Sequence, residues 1–132
     1  MSRLILVTHR GVASALVETA ELILDRPLRP GIVEVGDLED ADLAGERIEH
    51  EIRRSCVAHP PLILTDLPGA TPHNLALAAA RRRCRHARVL SGLNLPMLLR
   101  ALTHAELPSA ELAAMVCEGA RESIFVGDPD AD

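Results

Sequence analysis

The sequence predicts an α/β domain: a doubly wound open sheet of four parallel strands in the order 2-1-3-4, with helices on both faces. Three observations carry this. Short apolar runs at residues 4–7 and 62–64, and a strand-like stretch over 31–36 carrying Ile32, Val33 and Val35, are bounded by turn residues, as strands of a parallel sheet are. Stretches with helical spacing separate them, and alternation of strand and helix makes a mainly parallel sheet. Finally, the first run ends at His9 and the third at Asp66. Open α/β sheets bind ligands at the carboxyl ends of strands, where the strand order reverses. The order 2-1-3-4 puts that reversal between strands one and three, so His9 and Asp66 would share one crevice.

The elements follow in order. Residues 3–8 read as the first strand, and residues 11–25 as a helix with Val12, Ala15, Leu16, Thr19, Leu22 and Ile23 as its stripe. Asp25-Arg26-Pro27 ends it, and Pro30-Gly31 turns the chain into a second strand over 31–36. The acidic run 37–42 suits the start of a helix over 41–56, with Leu43, Ile48, Ile52 and Val57 as its apolar stripe. A third strand spans 62–66. Thr71 then caps a helix with Pro72 at its first position. Residues 87–91 form a fourth strand, and helices follow over 96–104 and 109–120, Ser109 being the cap of the latter. Residues 123–126 are a short β-prone run. One domain therefore covers 1–127, and 128–132 is an acidic tail.

Composition narrows the function. The 132 residues suffice for a core without staples, and 48% are hydrophobic. With one Phe, no Trp and no Tyr, the chain has no stacking platform for single-stranded nucleic acid. A net charge of -5 argues against nucleic acid generally. No stretch is long enough to span a bilayer, and the N-terminus does not read as a leader. Cys56, Cys84 and Cys117 are an odd set without a CxxC, so they read as small buried apolar residues in a reducing cytoplasm rather than as a disulfide framework. No histidine stands at metal-ligand spacing, and no cofactor is called for.

The chemistry centres on His9. A neutral imidazole is nucleophilic through one nitrogen when the other carries the proton, and a carboxylate accepting that proton fixes the tautomer. Asp66 is placed to do so and to stabilise the cation formed once phosphorus is bonded. Backbone N–H groups at Gly69, Ala70 and Thr71 are candidate phosphoryl donors at a helix start, with the Thr71 hydroxyl as a further one. The helix start at Gly11 is a second such place, and Arg10 offers a guanidinium. Asn94, after strand four, reads both as a helix cap and as a support for the site.

Three motifs then resemble the IIA component of the mannose family of the bacterial phosphotransferase system. They are Thr8-His9, Asp66-Leu67-Pro68-Gly69-Ala70-Thr71-Pro72-His73-Asn74, and Gly92-Leu93-Asn94-Leu95-Pro96-Met97-Leu98. The resemblance implies that His9 accepts a phosphoryl group from the phosphocarrier HPr, that Asp66 orients it, and that residues 69–71 lie beside the phosphoryl group. It also implies a homodimer in which a last strand, here near 123–126, is exchanged antiparallel onto the partner's sheet. A separate IIB component or a regulatory target would receive the group. Arg10 and Ala70 both stand where this family usually has Gly.

Two other classes compete. Histidine phosphatases place Arg-His-Gly after strand one, whereas this chain has His9-Arg10-Gly11 with no clear second His and Arg pair. A non-catalytic anion sensor would use the same crevice. His73 reads as a first-turn helix residue ahead of a second catalytic histidine. The cluster Arg81-Arg82-Arg83-Cys84-Arg85-His86 reads first as cations at a helix C-terminus, and second as a dock for an acidic partner.

Overall fold

A computed structural model describes residues 3–56 and 59–131. Four strands, β1 (Leu4–His9), β2 (Gly31–Val35), β3 (Leu62–Thr65) and β4 (Arg88–Ser91), alternate with five helices. These are α1 (Val12–Leu24), α2 (Ala41–Cys56), α3 (Thr71–Arg83), α4 (Leu95–Thr103) and α5 (Ser109–Glu122). The sheet order is β2-β1-β3-β4 and every pairing is parallel. His9 pairs with Val35, while Val7 pairs with Thr65, so the residues that follow Thr65 reach the same end of the sheet as His9.

Strand alternation sorts the core into two layers. Leu4, Leu6, Leu62 and Leu64 face α1, α4 and α5, where they meet Val17, Leu98, Leu112 and Val116. Ile5, Val7, Val33 and Ile63 face α2 and α3, against Ile48, Ile52, Ala76 and Ala79. Both faces of β1 and β3 are thus buried, which is why their sequences are unbroken apolar runs.

Several expectations are corrected. In α1 the buried residues are Ala13, Val17 and Ala20, while Leu22 and Ile23 are exposed, so the stripe lies one residue out of the phase read from sequence. Leu43 is exposed, and Val57 lies outside the described residues. The caps of α3 and α5 are Ala70 and Pro108, not Thr71 and Ser109. Ser109 instead donates its hydroxyl to the His86 carbonyl at 3.3 Å. Residues 123–126 form no strand within the single chain, and Ile124, Phe125 and Val126 are exposed.

The cysteines depart furthest from expectation. Cys56, at the end of α2, and Cys84, just beyond α3, form a disulfide with their Cα atoms 6.2 Å apart. Helices α2 and α3 lie side by side, which brings two distant thiols within bridging range. Glu49 of α2 joins the same two helices, accepting from Arg82 Nε at 2.7 Å and Arg83 Nε at 2.9 Å.

Candidate phosphoryl-transfer site

His9 ends β1 with its side chain about two-fifths exposed; Asp66, directly after β3, is far more covered. One oxygen of Asp66, Oδ2, accepts both the His9 backbone N–H at 3.0 Å and a hydrogen bond with His9 Nδ1 at 2.8 Å. The other, Oδ1, accepts the Leu67 N–H at 3.1 Å. Burial pushes the Asp66 carboxyl up, but the His9 backbone N–H, the ring hydrogen bond and the ring's charge outweigh it and hold the group below the usual carboxylate range. An ionised carboxylate can only accept. In the neutral ring Nδ1 of His9 therefore carries the proton, and Nε2 has the lone pair.

The turn that follows is fixed by Thr8. Its buried hydroxyl accepts the Ala13 N–H at 3.1 Å, and Gly11 supplies the φ of 88° at the start of α1. The imidazole opens onto a groove of about 940 Å³ shared with Arg10, Glu34, Asp37, Leu38 and Arg47. It also borders a smaller recess of about 330 Å³, where Gly36, Asp37, Thr71 and Pro72 form the walls.

Candidate residues fall into two groups. Thr71 lines the recess beside His9, and because Ala70 is the cap its hydroxyl is not engaged in capping. Arg10 lines the groove, lies across Gly36, and makes no ion pair among the described residues. By contrast, the N–H of Ala70 is already bonded to the Leu67 carbonyl at 3.2 Å. Gly69 adopts φ 80°, which shapes the turn, and its carbonyl accepts from the Asn74 side chain at 3.0 Å, leaving the candidate N–H untouched by that bond. Asn94 caps α4, accepting the Met97 N–H at 2.9 Å, and borders neither the groove nor the recess. His73 bonds through Nδ1 with the Thr65 hydroxyl at 3.0 Å, away from both.

The helix start at Gly11 holds a carboxylate of the chain's own. Glu34 accepts from the Ser14 N–H at 2.9 Å and the Ser14 hydroxyl at 2.8 Å. Burial would raise the Glu34 carboxyl, but these bonds, the Gly11 N–H and the Arg10 charge hold it below its usual range. Sequence reading missed Glu34 and its neighbours. It assigned the acidic run after β2 to the dipole of α2, yet Glu39 turns back to accept from the Gly36 N–H at 3.1 Å and from Arg47. The signal available was Glu34 itself, a charged residue inside an apolar strand.

A family model described as the PTS system fructose IIA component matches residues 3–117. The chain belongs to this family of phosphotransferase-system IIA components. It is 28% identical over 123 residues to the mannose-specific EIIAB components of Escherichia coli K12 and Shigella flexneri, covering 92% of this chain and 38% of each relative. The chain thus spans well under half the length of those relatives. Among solved structures, the mannose/sorbose-specific IIA subunit from Enterococcus faecalis superposes with a TM-score of 0.84 at 24% identity, covering 96% of this chain and 95% of that one. Component EIIA from Streptococcus agalactiae gives 0.81 at 25% identity, covering 96% and 97%. The likeness in fold extends to the strand order, and the family is that of phosphotransferase-system IIA components. Neither the phosphatase nor the anion-sensor alternative is favoured. Among the described residues no helix is long and apolar enough to cross a membrane.

Proposed function

We propose that Nε2 of His9 accepts a phosphoryl group from phospho-HPr and passes it to a separate IIB component or to a regulatory target. The observation that carries this is the 2.8 Å contact between His9 Nδ1 and a carboxylate held ionised. In the forward step Nε2 attacks phosphorus, the P–N bond of the donor's phosphohistidine breaks, and the donor imidazole leaves with that electron pair. The product ring carries phosphorus on Nε2 and a proton on Nδ1, and Asp66 balances its positive charge. Arg10, which makes no ion pair among the described residues, and Thr71 hold the phosphoryl oxygens from the walls, Arg10 by swinging from its place over Gly36. No cofactor enters this step.

The same reading includes a homodimer. Strand β4 is an unpaired edge of the sheet, and the exposed run Ile124, Phe125 and Val126 supplies an antiparallel strand for the partner's β4. A cytoplasmic location follows from HPr as donor, and the disulfide removes the support that the cysteines gave it.

The test is incubation with phosphoenolpyruvate, enzyme I and HPr, followed by intact mass. One acid-labile phosphoryl group should appear, and His9→Ala should abolish it. Phosphorylation that survives His9→Ala would reject the assignment.

A further inference from the structure

Along the free edge of β4 runs a groove of about 580 Å³. Leu77, Ala80 and Val89 give it an apolar floor, and Arg81, Arg85 and Arg88 stand at its rim. The five-residue run 81–85 divides sharply. Arg82 and Arg83 are committed to Glu49, whereas Arg81 and Arg85 are exposed and make no ion pair among the described residues. The disulfide at Cys84 fixes where that rim sits.

The C-terminal segment has matching chemistry. Ile124, Phe125 and Val126 are 75%, 79% and 96% exposed. Two residues on, Asp128 and Asp130 share one turn, in which the Asp130 N–H donates to Asp128 Oδ1 at 2.9 Å, and neither acid makes an ion pair among the described residues. An apolar triplet followed by acids is the chemical complement of an apolar groove ending in arginines.

Direction decides how they meet. Helix α5 begins beside the His86 carbonyl, just below the start of β4, and its 14 residues run about 21 Å toward the other end of the sheet. The segment therefore departs from the end where β4 finishes. Laid antiparallel on a β4 edge, it carries residue 126 to Arg88 and the acids onto Arg81 and Arg85. Laid parallel, it would carry them to the end that holds His9.

We propose that Asp128 and Asp130 of one copy pair with Arg81 and Arg85 of a second, locking the exchanged strand in its antiparallel direction. This clamp rests on the exchanged-strand reading above. In a two-fold dimer it forms twice, so a change of charge acts on both contacts.

The test is sedimentation of the full chain in low and high salt, with circular dichroism to confirm folding. The wild type should dimerise, more weakly in high salt. Arg81→Glu with Arg85→Glu should raise the dimer dissociation constant about tenfold in low salt, and adding Asp128→Arg with Asp130→Arg should restore it. A wild-type dimer indifferent to the arginine reversal would overturn the clamp and leave the exchanged strand standing. A wild type that stays monomeric in both salts would overturn both.

Discussion

His9 depends on one neighbour for its tautomer and its orientation, and Asp66 does both through a single oxygen that also fixes the His9 backbone. Asp66→Asn keeps the shape but replaces an obligate acceptor with a group that can also donate, so Nδ1 loses its reason to hold the proton. We expect phosphoryl acceptance to fall by about two to three orders of magnitude, read as initial rate by intact mass. The stability effect has a defined sign. Because the Asp66 carboxyl is held below its unfolded value, its contribution is complete above that value, about 3.9, and is lost as pH falls through the lower folded value. The gap in unfolding free energy between wild type and Asp66→Asn should close as pH falls below about 4; a gap that stays unchanged from pH 5 down to about 2 would contradict the pairing. This pair was legible in the sequence, since two polar residues closing two apolar runs have few other places to point. Glu34 was not, because whether a strand glutamate meets water or a helix start depends on how the β1 turn sits over β2.

Among the connecting elements, the turns after the strands set the site. The loop after β3 brings Asp66 to His9 and starts α3 beside the imidazole, and it bends at Gly69, whose φ is 80°. A Cβ there would meet nothing within 4 Å, so Gly69→Ala tests backbone conformation alone. The left-handed cost predicts a loss of about 1–2 kcal/mol in denaturant unfolding, with no loss from crowding. Ala70, next in the chain, has φ -79° and needs no glycine, so the departure from the family's usual residue is accommodated. Strands β1 and β3 were legible because burial on both faces leaves no alternation to misread. Caps were legible only to within one residue. Thr71 and Ser109 have the right chemistry at the right helix starts, yet each sits one position inside, and a local pattern cannot register that shift.

At the scale of the whole molecule, the α2–α3 layer is joined twice at the end remote from His9, by the Cys56–Cys84 disulfide and by Glu49 between two arginines. Nothing local announces either, because the residues are far apart in sequence and meet only once both helices lie on the same face of the sheet. The disulfide spans 28 residues, and chain-entropy loss in the unfolded state makes such a loop worth about 3 kcal/mol. Reduction, or Cys56→Ser with Cys84→Ser, should lower Tm by about 10 °C, measured by calorimetry with and without reductant. Phosphoryl acceptance at His9 should be unchanged well below that transition, since the bridge lies at the opposite end of the sheet. An unchanged Tm on reduction would mean the thiols do not pair in solution. A fall in acceptance without unfolding would mean the far end of α3 bears on its first turn, where Thr71 stands beside the imidazole.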